Sequence, residues 1–212
     1  MVLVLTTGSA LGLRWANENL PGIVLAWYPG QQGGNAVADV LFGDTNPAGR
    51  LPVTFYESVS QLPPFADYGM EGRTYRYFRG EPVFPFGFGL SYTRFEYSGL
   101  RLSRATVGAG DSLEISVDVK NVGARAGEEV VQLYVRGADA AKPAANRTLR
   151  AFERVALAAG EQKQVRFTIV PERDLATYDE TRRAYAVAPG MFEIEVGASS
   201  GDLRARGSVR VQ

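Results

Sequence analysis

From residue 95 onward, apolar side chains recur at every second position. Leu113, Ile115, Val117 and Val119 form one such run, and Val131, Leu133 and Val135 a second. Val165, Phe167 and Ile169 form a third, and Phe192, Ile194 and Val196 a fourth. A period of two puts the apolar groups of a strand on one face and the polar groups on the other. Each strand then needs a second layer to cover its apolar face. The turns between the runs are marked by Gly108-Ala109-Gly110-Asp111, Asn121-Val122-Gly123, Ala159-Gly160-Glu161 and Pro189-Gly190.

Seven or so short strands over residues 95–212 predict an immunoglobulin-like or fibronectin III-like β-sandwich. The chain has no Cys, which favours the fibronectin variety and excludes disulfides, thiolate nucleophiles and Cys-ligated metals. It also has no His, so imidazole general-base chemistry and the usual zinc sites are excluded. Chemistry is left to carboxylates, Tyr, Ser, Thr, Lys and Arg, with no cofactor or metal expected. Lys plus Arg is 23 and Asp plus Glu is 23, so no net charge draws the chain to nucleic acid or an anionic membrane. No apolar run reaches the roughly 20 residues of a membrane span.

Residues 1–60 read differently. Val2-Leu3-Val4-Leu5 and Ile23-Val24-Leu25-Ala26 are unbroken apolar runs, as in parallel strands covered on both faces. The first run lacks the basic residues of a signal peptide ahead of it and is expected to be a buried strand, not an export signal. Ala36, Val37, Val40 and Leu41 predict an amphipathic helix over residues 35–42, stopped at Gly43. Residues 51–55 read as one further short strand. The pattern is β-α-β-α-β, the C-terminal part of an α/β sandwich domain, and so few strands cannot cover their own faces. Gly33-Gly34 ahead of the helix suits either a phosphate loop or close packing of helix on sheet. Packing is preferred, because no phosphate-loop motif is matched.

Residues 61–94 form a connector dense in Pro, Gly and aromatics, expected to lie ordered along a surface. Arg73-Thr74-Tyr75-Arg76-Tyr77-Phe78-Arg79 interleaves cations with rings. That suits nucleic acid, which the zero net charge disfavours, or a sugar platform, or a packed strap with Arg stacked on rings. Glu71 is the most suggestive single carboxylate. Asp39, Asp44, Glu57 and Asp67 occupy positions typical of surface or capping residues. The candidate substrate-binding residues are Glu71, Arg73, Tyr75 and Arg76.

A wider set of segments carries a resemblance. The set begins with Ala26-Trp27-Tyr28-Pro29-Gly30, Ala38-Asp39-Val40-Leu41-Phe42-Gly43-Asp44 and Asn46-Pro47-Ala48-Gly49-Arg50-Leu51-Pro52. It continues with Gly72-Arg73-Thr74-Tyr75-Arg76-Tyr77-Phe78, Phe84-Pro85-Phe86-Gly87-Phe88-Gly89-Leu90-Ser91-Tyr92-Thr93 and Gly127-Glu128-Glu129-Val130-Val131-Gln132-Leu133-Tyr134-Val135. In this order they resemble the C-terminal part of glycoside hydrolase family 3.

The resemblance implies a three-part enzyme, with a barrel, an α/β sandwich domain and a fibronectin-like domain. This chain would hold the end of the second part and all of the third. The nucleophilic Asp and the acid/base Glu of the family match no position here, so no catalytic residue is expected in this chain. The run from Arg73 to Phe78 is more similar to the β-xylosidase branch than to typical β-glucosidases. Implied partners are the barrel, the rest of the α/β domain and an oligosaccharide substrate. For the intact enzyme a periplasmic or secreted location is favoured over a cytoplasmic one. The alternative is a non-catalytic carbohydrate-binding or cell-surface interaction module.

Overall fold

The structure, a computed structural model, describes residues 1–137 and 145–212. Strands β1 (Leu3–Leu5) and β2 (Ile23–Leu25) pair in parallel, with Leu3 opposite Ile23 and Leu5 opposite Leu25. Helix α1 (Arg14–Asn19) joins them, and α2 (Gly33–Phe42) follows. As expected, α2 ends at Gly43, which takes φ of +86° and donates its N–H to the carbonyls of Asp39 and Val40. A left-handed residue after a helix is cheap for glycine and costly for most others. At the other end, a Cβ on Gly33 would come within 2.6 Å of the Pro29 Cβ, whereas Gly34 has open space. The close approach expected of both glycines therefore occurs at Gly33 only, and against the preceding loop rather than the sheet.

Two expectations for this region need correction. Residues 51–55 join no sheet. Leu51 donates its N–H to the Phe88 carbonyl and accepts from Gly87, both at 2.8 Å, and Phe55 exchanges backbone bonds with Phe84. The segment lies antiparallel to the connector because Pro52 has no N–H for a ladder, while Phe84 offers Phe55 an edge-on ring at 6.3 Å. The run at residues 2–5 is not buried either. Val2 and Val4 are 44% and 39% exposed, since two strands alone supply neither flanking strands nor a layer over each face.

The connector contains one short helix, α3 (Thr74–Tyr77), and leads into the sandwich. Its strands are β3 (Phe95–Leu102), β4 (Thr106–Val107), β5 (Leu113–Asn121), β6 (Gly127–Gly137), β7 (Thr148–Leu157) and β8 (Gln162–Ile169). Helix α4 (Pro171–Asp174) and the hairpin β9 (Thr177–Asp179) and β10 (Ala184–Ala186) precede β11 (Gly190–Ser199) and β12 (Asp202–Val211). One sheet runs β4-β12-β11-β6-β7 and the other β3-β5-β8. Leu113, Ile115, Val117 and Val119 of β5 meet Val131, Leu133, Ile194 and Val196 in a fully enclosed core. The alternating runs predict β5, β6, β8 and β11, whereas β3, β7 and β12 enter only through the approximate number of strands. β4, β9 and β10 were not expected, because two or three residues are too few to show a period.

The two parts are joined by polar contacts, some of them enclosed. Arg50 Nη2 lies 2.7 Å from Glu129 Oε1 with both side chains nearly buried. Asn46 donates to the Ala126 carbonyl and accepts from the Tyr92 N–H at 2.8 Å. Gln132 donates to the carbonyls of Gly87 and Ala198, which ties the connector to the sandwich.

Candidate functional site

Beyond the carboxyl ends of β1 and β2, a cleft of about 730 Å³ opens between the following loops and the connector. In α/β sheets this end of the strands is where ligands sit. Its walls include Trp27, Tyr56, Thr74, Tyr75 and Arg76. Two of these hold strained backbone: Trp27 has φ of +52° and Thr74 of +55°. A bulky and a β-branched residue rarely adopt that region, and such strain gathers at ligand sites.

The connector wall is well anchored. The Tyr56 hydroxyl accepts the Thr74 N–H at 2.6 Å. Burial pushes the Tyr56 phenol above its ordinary pKa, and the Thr74 bond opposes that rise. Tyr75 stacks on Phe86 with ring centres 4.2 Å apart, and its hydroxyl accepts the Leu149 N–H at 3.0 Å. Tyr134 meets Tyr75 edge-on and donates to Gln132 Oε1. Burial foremost raises the Tyr134 pKa, so it remains a neutral donor. Among the described residues, no carboxylate lines the cleft. The wall is aromatic and cationic, able to stack on and hydrogen-bond a ligand but without an acid/base pair.

Residues 1–92 match the glycosyl hydrolase family 3 C-terminal domain, and residues 129–200 match the fibronectin type III-like domain. The chain belongs to glycoside hydrolase family 3. It is 44% identical over 95% of its length to a xylan 1,4-β-xylosidase of Xylanibacter ruminicola. It is 40% identical over its whole length to a β-glucosidase of Rhizobium radiobacter. It spans 23% and 28% of those two enzymes. Among solved structures it resembles a β-glucosidase of Thermotoga neapolitana, with TM-score 0.88 and 34% identity over 100% of this chain and 31% of that one. The two matches fall in order on the α/β part with the connector and on the sandwich.

Within this family 3 chain the four candidate residues separate. Tyr75 and Arg76 line the cleft. Glu71 is exposed and lies outside the cleft wall. Arg73 turns its guanidinium to the carbonyls of Pro64, Asp67 and Gly69, gathering the preceding loop. Tyr56, Thr74 and Trp27 were not singled out as site residues. The positive φ of Trp27 and Thr74 and the bond from Thr74 to Tyr56 are absent from local pattern, although Trp27 and Thr74 stand in segments that carry the family resemblance.

Proposed function

We propose that this chain is the C-terminal portion of a retaining, exo-acting β-glycosidase that releases terminal β-linked xylose or glucose from plant polysaccharides and oligosaccharides. Its two catalytic carboxylates, about 5–5.5 Å apart in enzymes of this type, lie outside these 212 residues. The chain braces the rest of the α/β domain, and Tyr75 and Arg76 face the saccharide beyond the cleaved bond. Glu71 and Arg73 shape the connector that carries them.

The observation that supports this reading is the position of the cleft. It has aromatic walls, sits at the carboxyl ends of parallel strands, and adjoins apolar surface. Of the exposed large apolar side chains among the described residues, only Phe152, Tyr178 and Tyr185 lie beyond residue 92. A freestanding binding module would not carry Val4, Trp15, Leu41 and Phe42 uncovered.

The test is a chimera in which these residues replace the matching portion of the Xylanibacter ruminicola β-xylosidase. Turnover of an aryl β-xyloside is expected to survive, and its complete loss in a folded chimera would refute the bracing role. In the same chimera Arg76→Ala is expected to weaken xylobiose turnover more than aryl xyloside turnover. Equal losses on both substrates would remove the sugar contact.

A further inference from the structure

Two guanidinium groups near the junction of the connector and β7 form no ion pair among the described residues: Arg76, on the cleft wall, and Arg150, which lines a separate hollow with Leu149, Ala151 and Phe152. Arg76 stands on α3 and Arg150 on β7, and the Nε of each is buried without a hydrogen-bond partner. A buried donor left unpaired incurs its full desolvation cost. Arg50 Nε is equally unpartnered, but other sheltered arginines have an ion pair: Arg50 with Glu129 at 2.7 Å, Arg147 with Glu195 at 3.0 Å and Arg204 with Asp202 at 2.7 Å, whereas Arg76 has only the Tyr77 ring, 5.3 Å away. Among the described residues, no carboxylate forms an ion pair with Arg76 or Arg150. Asp174 favours the Arg150 charge from nearby, but its oxygens are engaged by the Arg173 guanidinium and the Val170 N–H.

The like charges of Arg76 and Arg150 oppose each other. Burial first, and then the Arg76 charge, lowers the pKa of Arg150. The fold nevertheless holds them together. The register between β6 and β7 passes from Leu133 opposite Ala151 to Tyr134 opposite Leu149, which leaves Arg150 as the extra residue of a β-bulge. Bulges re-aim a side chain and are frequent beside functional sites. On the other side, the Asn146 N–H donates to the Arg76 carbonyl at 2.5 Å, and Asn146 Nδ2 donates to the Phe78 carbonyl at 2.7 Å. The bond from the Leu149 N–H to the Tyr75 hydroxyl completes the clamp.

We propose that Arg76 and Arg150 form a seat for a carboxylate, set between the connector and the edge strand β7. Planar guanidinium forks match a carboxylate in shape and charge. The carboxylate has two possible sources: a uronic acid unit of an acidic oligosaccharide, or an Asp or Glu side chain from another part of the enzyme. The seat shares Arg76 with the proposed sugar contact, but its occupancy is measured without turnover, so the failure of either reading is distinguishable.

The test is thermal unfolding of the 212-residue chain with glucuronate, acetate or glucose at matched ionic strength. Glucuronate and acetate above their dissociation constants are expected to raise Tm by about 2–4 °C, and glucose to leave it unchanged. A larger shift with glucuronate than with acetate assigns the seat to a sugar acid, and equal shifts assign it to a side-chain carboxylate. Arg76→Gln and Arg150→Gln are each expected to abolish the shift. If either variant fails to fold, the Lys replacement at that position keeps the charge but loses the fork, and the shift should fall. Without any ligand, Arg150→Met should raise Tm, because it removes a partly buried cation that forms no ion pair among the described residues. A merely structural arginine would lower it. The proposal is overturned if no carboxylate shifts Tm, if glucose acts equally, or if the shift survives in the variants.

Discussion

Arg50 and Glu129 meet across the joint between the α/β part and the sandwich, Nη2 to Oε1 at 2.7 Å, with side chains 9% and 3% exposed. Glu129 Oε1 also accepts the Val130 N–H, so one carboxylate oxygen serves both the joint and strand β6. Removing one partner leaves the other charge enclosed, at a cost of about 3–5 kcal/mol. Glu129→Gln is therefore expected to lower the urea midpoint sharply, and the pair Arg50→Met with Glu129→Leu to recover most of the loss. A single variant within about 0.5 kcal/mol of the parent would show that the joint does not depend on this pair.

On its own the chain is expected not to hydrolyse aryl β-xylosides or aryl β-glucosides. No carboxylate lines the cleft among the described residues, and general acid–base catalysis alone supplies about 10²–10⁴-fold in rate. Turnover above the no-protein background that disappears in Glu71→Gln would instead make Glu71 catalytic.

Limited proteolysis is expected to leave a resistant piece covering residues 95–212 while residues 1–60 are cut early. The sandwich encloses its own core, whereas Val2, Val4, Trp15, Leu41 and Phe42 are exposed. Mass spectrometry of the fragments decides the matter, and equal survival of both regions in a monomer would contradict it.

Acid should loosen the turn at α4. The Arg173 hydrogen bond foremost holds the Asp174 carboxyl below its ordinary pKa, and the Val170 N–H adds to this. A depressed carboxylate contributes stability that is present above its unfolded pKa, about 3.9. That contribution is lost as the pH falls through the folded value. Asp174→Asn should therefore cost stability at neutral pH and flatten its decline below about pH 4. Parallel stability profiles for parent and variant would exclude this contribution.

Local pattern determined the sandwich. Alternation at Leu113, Ile115, Val117 and Val119 settles which face of β5 is buried, because side-chain direction in a strand depends only on position along it. Gly43 likewise ends α2 through its own backbone freedom. Tertiary structure decided the rest. Residues 51–55 look like a strand in isolation, yet their partners are residues 84–88, a choice made by Pro52 and by the rings of Phe84 and Phe88 at long range. The strained φ of Trp27 and Thr74, and the bulge at Arg150, exist only once distant segments have docked. Period and composition are properties of a few neighbouring residues. The cleft and its anchored tyrosines depend on contacts between residues up to 74 positions apart, such as Leu149 and Tyr75, which no local window contains.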